Sequence, residues 1–278
     1  MPFSTITIQN ARFVEEADLQ CIAIDTNKHR VILNDSTISN CGQATSLDNR
    51  IPNIQVNRAR GIELDRVVSA NSGGDGLSFV ESSMRVTIEN SKFVRNRESG
   101  LKIDVTKLEL TIRGSKFNSN GELGVNIVKS RKALLEDVQA NNNGFQGISV
   151  DARNFFTARN VLAVGNSVVG IEVIMTQLNN ARFVAENVVS IGNTIGIHVR
   201  GSKQSVRVTL ENVIACSESG EDILFDTDIA LQSDPSNISF KGCSASGLIL
   251  DVNGNIVQDC QDIQHASCDG VCGTSAVQ

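Results

Sequence analysis

Short stretches of alternating apolar and polar residues return along this chain about every 23 to 30 residues. Val86–Glu89 and Leu110–Arg113 are clear examples, and this period-two alternation is typical of a β-strand with one buried face. A second stretch in each unit begins with glycine and continues apolar–polar–apolar. Six successive units have this glycine at Gly76, Gly100, Gly124, Gly147, Gly170 and Gly196, with spacings of 24, 24, 23, 23 and 26 residues.

A repeat of this length predicts a solenoid, in which each unit buries its core against its neighbours. Three short strands per unit with no helical segment predict an all-β fold: a single parallel β-helix of about ten coils. The strong handedness preference of parallel crossovers predicts a right-handed one. At about 4.8 Å per coil the rod is about 48 Å long. We expect residues 1–250 to form the β-helix and residues 251–278 a hairpin and a cysteine-containing tail.

Two polar rows separate the strands of each coil. Asparagine tolerates left-handed backbone, and stacked asparagines can hydrogen-bond from coil to coil, so we expect tight turns and an asparagine ladder. The first row reads Asn10, Asp35, Arg66, Asn90, Gly114, Asp137, Asn160, Asn187, Asn212 and Gly242. The second reads Asn40, Asn71, Asn96, Asn120, Asn143, Asn166 and Asn193.

The repeat length, the glycine-led strands and the asparagine turns resemble the right-handed parallel β-helix families, including the pectate-lyase-like superfamily. The resemblance covers roughly residues 4 to 250 and implies a fold. The paired-Asp and Arg-x-Lys signatures of polygalacturonases are absent from the sequence. So is the Tyr-Gly-x-Asp-Pro-His type of motif of alginate epimerases, because the chain contains no tyrosine.

Charge and composition argue against several classes of function. The net charge of −6 and the lack of a basic stripe argue against nucleic acid as a partner. No run is long and apolar enough to span a bilayer. The first residues lack the basic and long apolar parts of a signal peptide. There are eleven Phe but no Trp or Tyr, which disfavours a conventional polysaccharide cleft lined by those rings.

The polar positions of the glycine-led strands face solvent, and over neighbouring coils they bring together Asp151, Glu172, His198 and Arg200, with Asp226 beyond. Such a group can do acid–base work on a uronic acid: Arg binds the sugar carboxylate, and Glu or His moves the proton. These four residues are the candidate catalytic site. The alternative interpretation is a solvated polar face, since structural ion pairs resemble active sites.

Two other outward rows point to different roles. From Glu89 to Glu186 the residue before the first turn alternates in charge sign coil by coil, which predicts stabilising cross-strand pairs. On the third strand an apolar patch predicts an interface, covered either by this chain or by a partner. The predicted partner-binding residues are Leu162, Val164, Val189, Ile191 and Ile214.

The cysteines of the chain and the acidic residues near its C-terminus each allow more than one interpretation. Cys21, Cys41, Cys216 and Cys243 are expected to be small core residues or free thiols. Cys260, Cys268 and Cys272 with His265 predict a tail disulfide or, less well by spacing, a zinc site. A calcium loop at the end fits only in part, because Ile256 stands where glycine is required. Its residues are Asp251, Asn253, Asn255, Asp259 and Asp262.

The sequence supports two functions. The first is a non-catalytic β-helical scaffold, extracellular or at the cell surface, that binds a glycan or a protein through one face. The second is a polysaccharide lyase, hydrolase or epimerase that acts on an acidic polysaccharide, which rests on analogy of fold. Self-association is a further expectation, because the first coil, Ile6–Phe13, has no evident cap and open strand edges invite pairing.

Overall fold

The computed structural model describes residues 4–14, 20–26, 29–43, 50–80, 85–104, 109–175, 181–201, 207–217 and 222–225. Beyond residue 225 it describes the backbone of four short strands.

All regular structure in the described residues is β-strand. The strands are β1 (Thr5–Gln9), β2 (Arg12–Val14), β3 (Ile22–Asp25), β4 (Arg30–Asn34), β5 (Thr37–Ser39), β6 (Ile54–Asn57), β7 (Gly61–Asp65), β8 (Val68–Ala70), β9 (Leu77–Val80), β10 (Arg85–Glu89), β11 (Lys92–Val94), β12 (Leu101–Asp104), β13 (Glu109–Arg113), β14 (Lys116–Asn118), β15 (Val125–Glu136), β16 (Ile148–Arg159), β17 (Leu162–Val164), β18 (Val169–Met175), β19 (Arg182–Asn193), β20 (Ile195–Gly201), β21 (Arg207–Ser217), β22 (Ile223–Phe225), β23 (Ile238–Lys241), β24 (Ser244–Ala245), β25 (Ile249–Asp251) and β26 (Ile256–Gln258).

The strands stack in parallel on three faces, with local register shifts between β15 and β16 and between β19 and β21. Face A runs from β1 through β4, β7, β10 and β13 to the second parts of β15 and β16 and the first parts of β19 and β21. Face B runs from β2 through β5, β8, β11 and β14 to β17 and the second parts of β19 and β21. Face C runs through β3, β6, β9, β12, the first parts of β15 and β16, β18, β20 and β22.

The parallel β-helix predicted from the repeat is therefore confirmed, with a small correction to its length. Nine successive strands of face C, from β3 to β22, enclose about eight turns. The figure of about ten coils also counted the partial coils at the two ends. At the far end β25 pairs antiparallel with β26. The division of the chain at residue 250 stays a prediction.

The core is a set of stacked apolar columns inside the three faces. Along each strand buried residues alternate with outward ones, as in β10, where Val86 and Ile88 are buried. Equivalent side chains of adjacent coils lie directly over one another. The rings of Phe93 and Phe117 stack at a centroid distance of 5.2 Å, and so do those of Phe156 and Phe183. Each coil thus buries its apolar surface on its neighbours, as a solenoid requires.

The first polar row is a row of left-handed turns. Its nine described members, from Asn10 to Asn212, all have φ between 50° and 56°. Glycine, asparagine and aspartate adopt this conformation at the lowest cost, which explains eight of the nine directly, all except Arg66. Alternate charges beside the row also pair as predicted: Arg113 lies 2.8 Å from Glu136 and 3.6 Å from Glu89.

The second polar row needs a correction, because it merges two columns. Asn40 and Asn71 are left-handed, with φ of 60° and 52°. In the following coils the left-handed residue is Arg95, Ser119, Asn142, Gly165 or Gly192. The asparagine comes one position later and its side chain is buried. The buried members are Asn96, Asn120, Asn143, Asn166 and Asn193.

These buried asparagines hydrogen-bond from one coil to the next. The Nδ2 of Asn120 donates to Oδ1 of Asn143 at 3.0 Å, and the backbone N–H of Asn120 donates to the same oxygen at 3.0 Å. The Nδ2 of Asn143 in turn donates to Oδ1 of Asn166 at 2.9 Å and to the backbone oxygen of Phe117 at 3.0 Å. The same pattern joins Asn96 to Asn120 and Asn166 to Asn193.

The repeated glycine follows from this column. A Cβ on Gly124 would lie 2.9 Å from Nδ2 of Asn143 and 2.5 Å from the backbone oxygen of Gly147. On Gly147 it would lie 2.7 Å from Nδ2 of Asn166. The glycine and asparagine repeats are therefore two halves of one packing arrangement, since the amide group fills the space that a side chain on the glycine would need.

The cysteine expectation was wrong for three residues. Cys21 and Cys41 form a disulfide with their α-carbons 5.7 Å apart, and Cys216 is also disulfide-bonded. Cys243 and the tail cysteines lie outside the described residues.

We expect Asn143→Ala to lower the free energy of unfolding by about 3 kcal/mol. The substitution removes four hydrogen bonds and leaves buried amide and carbonyl groups of neighbouring coils without partners, at about 1–3 kcal/mol each. Denaturant unfolding measures the effect, provided that the variant and the parent have the same m-value. Asn126→Ala, an outward position of the same solenoid, is the control and should change stability by less than about 0.5 kcal/mol. Equal effects of the two substitutions would contradict the assignment.

We also expect the double substitution Cys21→Ser/Cys41→Ser to lower the free energy of unfolding by about 3 kcal/mol. The bridge closes a loop with a sequence separation of 20 residues, whose restriction in the unfolded chain gives that magnitude. The difference between the reductant-induced shifts in thermal unfolding of the parent and of the double variant gives an independent measure, because reductant also breaks the disulfide of Cys216 in both. The double variant lacks the Cys21–Cys41 bridge, so reductant should lower its unfolding temperature by less than it lowers that of the parent.

Candidate functional site

The candidate site lies on the outer side of face C, on β16, β18 and β20 of three successive coils. Strand pairing places Ser149 beside Glu172, and Glu172 beside His198. Two residues farther along the same strands, Ile174 lies beside Arg200. The glycine that opens each strand sets this register, so equivalent side chains of adjacent coils stand next to each other.

Glu172 is the centre of the site and is 6% exposed. Its Oε2 accepts hydrogen bonds from Oγ of Ser149 at 2.9 Å and from Nε2 of Gln146 at 3.3 Å. Its Oε1 accepts a hydrogen bond from Nη1 of Arg200 at 3.2 Å. A buried carboxylate requires such partners, and here three donors from the two flanking coils supply them.

Arg200 forms the outer part of the site. Its side chain is 48% exposed, whereas that of Glu172 is 8% exposed. The Glu172–Arg200 ion pair therefore joins a buried carboxylate to a guanidinium that reaches solvent. Because water screens the exposed guanidinium, the pair adds little to the stability of the fold, and its main effect is to orient Arg200.

Asp151 lies apart from this cluster. Ile174 stands between Asp151 and Arg200 in the register, so two coils, about 10 Å, separate their α-carbons. Burial raises the pKa of Asp151, an effect that the nearby charges of Arg153 and Lys129 reduce. Its Oδ1 is buried and accepts no hydrogen bond from the residues that the structure describes. Among the same residues, the buried Nε of Arg153 has no acceptor and the buried Oδ1 of Asn154 has no donor.

The structure thus joins Glu172 and Arg200, puts His198 in the adjacent register position and separates Asp151. Asp226 lies outside the described residues. Sequence reasoning did not single out Gln146 or Ser149. Ser149 belongs to the predicted outward row. Gln146 stands directly before the repeated glycine, and that position was not treated as part of the face.

An acidic corner borders the same face on the earlier coils. Arg50 Nη1 lies 2.9 Å from Glu98 and 3.4 Å from Glu122. Nearby, Asp75 is 5% exposed and accepts a hydrogen bond from the backbone N–H of Ser99 at 3.0 Å. Burial raises the pKa of Asp75 to about 6. This carboxyl therefore titrates close to neutral pH.

Metal ligands are not assembled within the described residues, where no three His, Cys, Asp or Glu side chains are grouped suitably. The proposed calcium loop and the cluster of Cys260, Cys268, Cys272 and His265 fall outside the described residues, except for the backbone of Asp251. Both interpretations stay predictions.

The apolar patch on face B has the predicted orientation. Leu162 pairs with Val189 and Val189 with Ile214, while Val164 pairs with Ile191. All five side chains are half-buried, and the alternating residues Ala163, Ser190 and Ala215 are buried inside. The patch is thus a continuous outward strip across three coils. Its role in partner binding stays a prediction.

Comparison with known proteins defines the class. The family model described as "Right handed beta helix region" matches residues 52–214, more than half of the chain. The chain therefore belongs to the right-handed β-helix family, which also confirms the predicted handedness.

One solved structure and two negative findings complete the comparison. The crystal structure of pectate lyase Pel9A superposes with a TM-score of 0.56 at 15% identity, over 99% of this chain and 75% of that chain. At this identity the similarity concerns the fold alone. A search of the curated proteins finds no match. Within the described ranges there is no helix whose length and hydropathy would let it cross a membrane.

We expect the free energy of unfolding to fall by about 3 kcal/mol between about pH 4 and pH 6 because of Asp75. Its pKa is higher in the folded protein, so the native state binds the proton more tightly and loses this advantage as pH rises. Asp75→Asn keeps the acceptor for Ser99 and should remove this component. Denaturant unfolding across that pH range measures it. Asp104→Asn, an exposed carboxyl on the same face, is the control and should keep the parental pH dependence.

Proposed function

We propose that this β-helix is a non-catalytic scaffold that binds an acidic glycan through face C. The observation that carries the proposal is the exposed guanidinium of Arg200, held at 3.2 Å by the buried Glu172. An oriented guanidinium is a planar, permanently charged donor that suits the carboxylate of a uronic acid. Ser149 and Gln146 fix the carboxylate that orients it.

The state of Glu172 favours binding over catalysis. Both of its oxygens accept hydrogen bonds, and a carboxylate occupied in this way orients a neighbour rather than taking a proton from a substrate. A general base must also lie within hydrogen-bond reach of the group that it deprotonates. Asp151 stands two coils from Arg200, so a sugar carboxylate on Arg200 would not lie against it.

An extracellular or cell-surface location is part of the proposal. The Cys21–Cys41 disulfide and the disulfide-bonded Cys216 support it, because disulfides persist in oxidising compartments.

The apolar patch of face B and the first coil give the scaffold two further surfaces. We keep a protein partner at Leu162–Ile214 and self-association at the first coil as predictions. Phe13 and Val14 on the first coil are 37% and 49% exposed, which supports the second of these.

A polysaccharide lyase, hydrolase or epimerase is the second candidate function. Asp151 favours it, because a carboxyl whose pKa is raised by burial is suited to general acid–base work. The fold shared with a pectate lyase is in line with it, as an analogy.

We expect Arg200→Gln to weaken binding of pectate or another polyuronate at least about tenfold, the loss expected for one charge-assisted contact. Calorimetric titration of the chain with polyuronates and with neutral polysaccharides measures it. Arg159→Gln is the matched control, because Arg159 is 45% exposed and pairs with Glu186 on face A. It should bind like the parent.

Turnover assays separate the two functions. Unsaturated-product absorbance and reducing ends are followed on the same polymers, with and without calcium. Turnover that is lost in Asp151→Asn would establish the enzyme instead. Equal binding by the parent and both Arg variants would refute the site on face C.

A further inference from the structure

We propose that Phe145 is a sugar-stacking platform at the edge of face C, so that the site binds an oligosaccharide rather than a single sugar. The inference rests on the proposed glycan-binding function and adds to it a second contact of different chemistry. An aromatic ring offers an apolar surface that can cover the apolar face of a sugar ring.

Exposure distinguishes Phe145 from the other phenylalanines of the rod. Six of them are fully buried in the core columns, whereas Phe145 is 50% exposed. Among the described residues the other exposed rings are Phe13 on the first coil and Phe155 on face A. Phe155 already has a neighbour, since Nζ of Lys132 lies 5.7 Å from its ring centroid. Phe145 is the exposed ring that stands beside face C.

The backbone that carries this ring is fixed on both sides. The N–H of Phe145 donates to the backbone oxygen of Glu122 at 3.0 Å, and its own oxygen accepts from the N–H of Val168 at 3.2 Å. Gly144 and Gly147 make equivalent bonds to the coils on either side. Binding would therefore order little more than the two side-chain torsions of a phenylalanine, which keeps the entropic cost low.

The turn column changes character at this ring. On the two preceding coils it carries Glu98 and Glu122, tied together by Arg50. From Phe145 onward it becomes apolar, with half-buried Val168 on the next coil. The apolar part of the column thus runs beside the coils that carry Glu172 and Arg200. The apolar part of the turn column and the charged cluster of face C therefore lie on neighbouring coils of the rod.

Gln146 links the ring to the charged cluster. It follows Phe145 directly, and its Nε2 lies 3.3 Å from Oε2 of Glu172. Four residues along the strand and one coil across separate the α-carbons of Phe145 and Glu172, which is at most about 14 Å. Nη1 of Arg200 donates to Oε1, the other oxygen of the same carboxylate. A short chain of sugars can span this separation and contact both the ring and the guanidinium.

The test compares Phe145→Ala with Phe155→Ala on oligogalacturonides of one to six sugar units, by calorimetric titration. Phe145→Ala should weaken binding of the longer oligomers roughly tenfold and leave the weak binding of the monosaccharide unchanged. Phe155→Ala should bind like the parent at every length. Phe145→Tyr should retain affinity, which separates loss of the ring from disturbance of the turn.

The outcomes separate this inference from the function on which it rests. If Arg200→Gln weakens binding and Phe145→Ala does not, the stacking platform is wrong and the glycan-binding face stands. An equal loss at every oligomer length, including the monosaccharide, would also overturn the platform. If the parent binds no oligogalacturonide of any length, both proposals fail.

Discussion

The coil-to-coil hydrogen bonds of the buried asparagines are the constraint on which this structure depends. A β-helix must turn three times in each coil, and some backbone groups at the turns find no backbone partner in the adjacent coil. Between Asn96 and Asn193 one amide side chain per coil meets this need by bonding the backbone and the next amide at once. The glycine before the following strand leaves room for that amide.

This arrangement also places the candidate site. Because the glycines align from coil to coil, residues two positions after them lie side by side, which brings Ser149, Glu172 and His198 into one row. A slip of one residue would turn these polar groups into the core and the apolar ones outward. The buried hydrogen bonds that set the register of the rod therefore also set the composition of its surface. Glu172 can be buried because Ser149 in that row, and Gln146 and Arg200 beside it, are donors.

Periodicity made most of the fold predictable, and residue identity limited the rest. The strands, their faces and the outward direction of Glu172, Arg200 and Leu162 follow from a period that the glycines mark. The asparagine rows were merged because Asn71 and Asn96 are the same residue type in two different positions, one left-handed and one buried. The Cys21–Cys41 bridge was missed, because a separation of 20 residues does not match the period of the repeat. The contact from Gln146 to Glu172 is diagonal between coils, so no single row of the alignment displays it.

The regular spacing of the coils underlies our proposal that face C serves recognition rather than chemistry. Proton transfer needs groups that converge on one reacting atom, usually from loops of different origin. Here each coil offers its outward side chains at nearly fixed spacing, and Asp151 lies two coils from Arg200 instead of converging with it on one point. A linear polymer repeats its own groups along an axis as well. In our proposal, the oriented guanidinium and the exposed ring, which lie on separate coils, would contact different units of one sugar chain, whose affinity can accumulate over several weak contacts.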